Sequence, residues 1–148
     1  MKSLKQFFVM AFVAVLSLGF SACSGSDTEK LDSYKKVEDA KGFQERINTS
    51  TNCCVVDYRS AEEYAEGHIP GAINIPATDR TAETSFKAAM KNIDQSKSIY
   101  LYGSKKTNGS MGFYLAGIVS SMGWGLAKTY HLMTGYEGWV EAGLPIEK

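Results

Sequence analysis

A chain of 148 residues that balances 16 Lys and Arg against 16 Asp and Glu has room for one ordinary domain and carries no formal net charge. That excludes a multidomain enzyme and leaves no long-range field for holding nucleic acid, while 44% apolar content is too high for a disordered chain. Three cysteines, two of them adjacent at Cys53 and Cys54, fit neither a disulfide scaffold nor the paired spacing of a zinc site, so no metal or cofactor is called for.

Lys2 and Lys5 precede an apolar stretch running from Phe7 to Phe20. It falls short of the roughly 20 residues that span a bilayer as a helix, and it ends in the small residues Ser21 and Ala22 before Cys23. This is the pattern of a secretory signal peptide over residues 1–22. The Phe-Ser-Ala-Cys ending resembles the bacterial lipobox, although its position −3 is not the usual Leu. The resemblance implies cleavage before Cys23, a diacylated Cys23 thiol and an acyl chain (palmitate in type) on the new amino terminus. The domain would then be held to membrane lipid through Cys23. The alternative is an ordinary secreted protein cut near Ala22, with an incidental thiol at Cys23.

Without Lys2 and Lys5 the remainder carries 14 basic against 16 acidic residues, near −2. Residues 23–33 read as the lipidated cysteine and a flexible polar tether, and residues 34–148 as the folded domain. Ser24, in place of an Asp, leans toward the outer membrane in known lipoprotein sorting, so the expected location is the bacterial cell envelope.

From Tyr34 on, short β-branched runs alternate with helical spacing, the signature of an α/β sheet flanked by helices. Tyr34 to Val37 reads as an edge strand. Ala40, Phe43 and Ile47 mark a helix, Asn48 to Asn52 a polar turn, and Cys53 to Asp57 a buried parallel strand. Ser60 and Glu63 form a capping box, and Gly67 closes that short helix. Ala72 to Ile75 is a strand stopped by Pro76, and Phe86, Ala89, Met90 and Ile93 mark a helix. Ser98 to Tyr102 is a central strand followed by a loop, Gly103 to Ser110. Leu115, Ile118, Val119 and Met122 then give one helix face, ending at Gly123. Ala127 to Leu132 is the last strand, and Tyr136 to Ala142 the last helix.

Two runs carry a family resemblance: Val55 to Pro76, VVDYRSAEEYAEGHIPGAINIP, and Leu132 to Pro145, LMTGYEGWVEAGLP. They closely resemble the rhodanese family. The resemblance implies a central parallel sheet of about five strands with helices on both faces and a site at the carboxyl ends of the strands, where open α/β sheets generally place ligands. It also makes the Asp57 and Arg59 pair a structural brace of that site. His68 and His131 read as hydrogen-bonded packing residues.

Rhodaneses carry sulfur on a cysteine thiolate. In the family that cysteine directly follows the strand matching Ser98 to Tyr102, and here Gly103 stands there, so no covalent intermediate can form at that position. The loop is also about three residues longer than the family's. Ser104, Lys105, Lys106, Thr107, Asn108 and Ser110 are candidates for binding a small anion at a helix start, against the plainer reading of a solvated loop. A nucleotide phosphate loop fails on glycine spacing, and a phosphatase reading fails for lack of the cysteine.

Cys53 and Cys54 lie at the start of their strand, some 10 to 13 Å from its carboxyl end at about 3.3 Å per residue. The expectation is therefore a rhodanese-like domain without sulfurtransferase activity, acting as a binding or regulatory module whose partner is a small anion or an envelope protein. The alternatives are an active sulfurtransferase using Cys54 and a scaffold with no ligand.

Overall fold

In the computed structural model the described residues are 34–148; the expected signal segment 1–22, Cys23 and the expected tether lie outside them. Five parallel strands form one sheet in the order β1-β5-β4-β2-β3. They are β1 (Lys35–Val37), β2 (Cys53–Asp57), β3 (Ile73–Asn74), β4 (Ser98–Tyr102) and β5 (Thr129–Leu132). The α/β class, the parallel sheet and the strand count are as the sequence led one to expect.

The central strands are continuous apolar runs because helices cover both faces. On one face α3 (Glu83–Met90) and α4 (Asn108–Val119) bury Phe86, Met90, Leu115 and Val119 against Val56, Ile99 and Leu101. On the other, α1 (Ala40–Thr49) and α5 (Gly135–Glu141) bury Phe43 and Trp139 against Val55, Tyr100 and Leu132. Among the described residues no helix is long and apolar enough to cross a membrane.

Several boundaries differ from those read off the sequence, each for a local reason. Strand β3 keeps only two residues, because the Ala72 amide turns back to the Ile69 carbonyl at 3.0 Å. Helix α1 runs on through Thr49 and absorbs the first part of the expected turn. Helix α4 loosens after Val119 into a π-turn over Ser120–Trp124, which Gly123 ends at φ 115°, a left-handed value that favours glycine. Strand β5 starts at Thr129, after a single 3-10 turn over Leu126–Lys128.

The expected capping box is present at α2 (Ala61–Glu66): the Glu63 amide donates to Ser60 Oγ at 3.2 Å, and the Ser60 amide to Glu63 Oε2 at 3.1 Å. Ser60→Ala should lower stability by about 1 kcal/mol, read as a shift in the urea midpoint with unchanged slope.

Side chains alternate along a strand, so Cys54 joins the core under α3 and α4 while Cys53 joins the opposite one. Both thiols are free and half-buried. Adjacent in sequence, they face different layers, which removes the geometry of a vicinal disulfide.

Candidate functional site

Strands β2, β4 and β5 are in register, with Asp57 opposite Tyr102 and Leu101 opposite His131. The next residue of each outer pair, Tyr58 and Gly103, therefore meets at the carboxyl edge of the sheet. The Tyr58 amide donates to the Tyr102 carbonyl at 3.0 Å, which extends the ladder one residue and turns the buried phenol over Gly103. A Cβ at Gly103 would overlap Tyr58 Cε2 and Cζ and lie 2.8 Å from Oη. The tyrosine ring fills the space that a side chain at position 103 would need.

The phenol belongs to a buried network. Asn108 Nδ2 donates to the carbonyls of Leu132 and Met133, the latter at 2.9 Å. With its amide so fixed, Oδ1 faces the Tyr58 hydroxyl at 2.6 Å, His131 Nε2 at 2.9 Å and, more distantly, the Gly103 amide at 3.3 Å. A carbonyl oxygen only accepts, so His131 Nε2 carries the proton and also reaches the Tyr58 oxygen at 3.0 Å. Nδ1 is then a bare acceptor, buried and, among the described residues, without a partner.

Burial chiefly, helped by the Lys36 charge, pushes the imidazole down to about 4, so it stays neutral at ordinary pH. Burial likewise raises the Tyr58 hydroxyl far above its ordinary value. A second glycine makes room here: a Cβ at Gly112 of α4 would overlap His131 Cε1 and Nε2. Gly103 and Gly112 thus admit Tyr58 and His131, two large side chains joined through Asn108.

Four amides of the loop between β4 and α4, those of Gly103, Lys105, Thr107 and Asn108, are engaged within the protein. The amides of Thr107 and Asn108 both donate to the Ser104 carbonyl, at 3.1 and 3.0 Å, and start α4 early. The Lys105 amide donates to Glu137 Oε2 at 2.7 Å. Ser104 and Thr107 pair their hydroxyls at 2.9 Å. Gly135, at φ 65°, brings the start of α5 against this turn, where a Cβ would lie 2.7 Å from the Lys105 amide nitrogen. Of the candidate anion ligands, Asn108 points inward and is spent, whereas Lys105, Lys106 and Ser110 are exposed.

Asp57 and Arg59 form a buried ion pair at the carboxyl end of β2. Arg59 Nη2 donates to Asp57 Oδ2 at 2.5 Å and to the Gly67 carbonyl at 2.7 Å, and Nε lies 3.1 Å from both carboxylate oxygens. The guanidinium also stacks over the Tyr136 ring at 3.8 Å, tying β2 to α5. A fully buried carboxylate tolerates this position because the fork satisfies both its oxygens. His68 stacks on Tyr64 at 3.8 Å and hydrogen-bonds the Tyr64 carbonyl through Nδ1 at 3.0 Å.

Cys54 is elsewhere. With Cys53 it lines a groove of about 520 Å³ at the amino end of β2, and burial raises its thiol pKa against the pull of Lys97. Neither change suits a nucleophile. Among the described residues no three His, Cys, Asp or Glu side chains group as metal ligands would.

The role of Tyr58 escaped the sequence reading; its signal was a bulky residue at the centre of the Asp-x-Arg run together with a glycine ending the neighbouring strand.

The family model described as Rhodanese-like domain matches residues 37–142. Among solved structures, a Bacillus halodurans protein is 27% identical, with 78% of this chain and 77% of that one covered at TM-score 0.59. A rhodanese-related protein from Thermoplasma volcanium is 22% identical over 77% and 98% of the two chains, at TM-score 0.60. A thiosulfate sulfurtransferase from Pseudomonas aeruginosa is 21% identical over 78% of this chain but only 19% of its own, at TM-score 0.60.

Proposed function

Because the chain belongs to the rhodanese-like domain family, whose chemistry needs a thiolate at the carboxyl end of the fourth strand, we propose that it is an envelope-anchored member that no longer transfers sulfur and serves as a binding or regulatory module. The observation that carries this reading is the Tyr58 ring packed where a side chain at Gly103, directly after β4, would project. Loss of a cysteine alone would leave an empty pocket. Here the space is filled by a phenol locked to Asn108 and His131, and four loop amides already have acceptors inside the protein.

The anchoring part of the proposal rests on the lipobox-like run ending at Cys23, and the anion part on the exposed ammonium groups of Lys105 and Lys106. With the amides engaged, those lysines would meet an anion at the surface, as charges, in place of the enclosed cradle that amides could build. The test is sulfur transfer from thiosulfate to cyanide by the full-length chain in detergent. No turnover is expected, and Cys54→Ala should change nothing. Turnover abolished by Cys54→Ala would overturn the proposal in favour of a displaced thiol.

A further inference from the structure

From Asn108 to Ala127 the chain runs through twenty residues with no charged side chain, in a protein that is 22% charged overall. Helix α4 lies in this stretch, and its outer side is exposed at Gly109, Ser110, Phe113 and Gly117. Phe113 is 63% exposed. A helix face turned to water ordinarily carries charge, so a bare face crowned by an aromatic ring is adapted to a less polar neighbour.

Two further observations say which neighbour. The first is where the upstream chain joins. The Phe113 ring packs edge-on against Tyr34 at 6.0 Å, and Tyr34 is separated from Cys23 by the ten residues 24–33. Fully extended, ten residues reach no more than about 35 Å, so an acylated Cys23 keeps this part of the domain near a bilayer.

The second is charge. Lys36 lies over the Tyr34 ring at 5.9 Å, Arg80 stacks on Tyr114 at 4.9 Å, and Lys105 and Lys106 stand exposed just before α4. Lys87 joins Arg80, Phe113 and Tyr114 along a groove between α3 and α4. Of the carboxylates beside these cations, Glu83 is held by Lys87 and the Tyr114 hydroxyl, Glu38 acts on Tyr34, Glu137 accepts from the Lys105 amide and Asp79 caps the turn that begins at Arg80. The five cations Lys36, Arg80, Lys87, Lys105 and Lys106 exceed these four carboxylates by one, in a domain that is acidic once Lys2 and Lys5 are removed.

We propose that the α4 face docks on an anionic phospholipid bilayer. Phe113 enters the boundary between headgroups and acyl chains, and Lys36, Arg80, Lys105 and Lys106 meet headgroup phosphates. The proposal rests on the reading of Cys23 as lipidated. It gives the loop lysines a ligand, the lipid phosphate, that needs no enclosed pocket, and it would fix which side of the domain faces away from the membrane.

The experiment uses the full-length protein as isolated from a bacterial membrane, reconstituted in vesicles of phosphatidylglycerol and phosphatidylcholine with bromine on the acyl chains. Phe113→Trp places an indole on the face; Val140→Trp places one on exposed α5, across the sheet, as a control. Bromine should quench the first at least twofold more than the second, and the excess should shrink in vesicles of phosphatidylcholine alone. Equal quenching overturns the docking. So does an indole at 113 that is shielded from aqueous quenchers only as protein concentration rises, which would mark contact with a second copy. The mass of the amino-terminal peptide separates the premise from the proposal: an unmodified Cys23 overturns the anchoring and the docking with it, whereas a lipidated Cys23 with equal quenching overturns the docking alone.

Discussion

Gly103→Cys is expected to remain silent in thiosulfate-to-cyanide transfer and to unfold with about 3 kcal/mol less stability than the parent, the upper range for overpacking a well-filled core. The new Cβ would overlap two carbons of a fully buried ring that cannot retreat without abandoning Asn108 and His131. Tyr58→Val alone should also destabilise, by leaving a cavity and by removing the phenol's hydrogen bonds to Asn108 and His131. Combined, the two changes relieve each other, so urea unfolding of the parent, both single variants and the double variant should give a favourable coupling of about 1 to 3 kcal/mol. Strict additivity would mean that Tyr58 swings aside at little cost. The double variant should still be inactive, since four of the loop amides that would steady an anion or a persulfide, those of Gly103, Lys105, Thr107 and Asn108, are already engaged. Activity restored by Gly103→Cys alone would overturn the account of a filled site.

Sequence made the frame readable because its signals are local. The capping box at Ser60 and Glu63, the apolar runs of β2 and β4 and the Asp57 and Arg59 pair each lie within a few residues, and each appears where expected. The contents of the site are a different matter. Gly103 could be noted as a residue without a side chain directly after β4, and His131 as a packed histidine, one at a time. That Tyr58 occupies the space beside Gly103 depends on β2 lying beside β4 in a register that sets residue 58 next to residue 103, a relation spanning 45 positions of sequence.

Asn108 shows the same limit. Its place in a polar loop suggested an outward anion ligand, but the early start of α4 turns it inward, where it links three elements of the core. Side-chain composition cannot tell an inward amide from an outward one when the helix boundary is off by a turn. Lys105 and Lys106, with long charged chains on that same turn, can only point to solvent, and they do.

The buried imidazole should make stability depend on pH in a window that the lowered carboxyls enter only at its acid end. In the unfolded chain His131 binds a proton below about pH 6.5, whereas the native state holds it neutral down to about 4. Protons therefore favour the unfolded state across that interval. Stability is fully present above pH 6.5, falls as pH drops toward 4, and levels off below, with a total loss of about 3 kcal/mol at 1.36 kcal/mol per unit. The carboxyls of Asp79, Glu83 and Asp94, held low chiefly by their hydrogen bonds to Thr81, Lys87 and Ser96, begin to act only toward the acid end of this range. Urea midpoints at pH 7 and pH 5 should accordingly separate in the parent and nearly coincide in His131→Leu, which keeps the Tyr58 to Asn108 hydrogen bond and removes the titration. Equal pH dependence in both proteins would mean that His131 accepts its second proton in the folded state. Nδ1 would then need an acceptor, where the present structure offers it none.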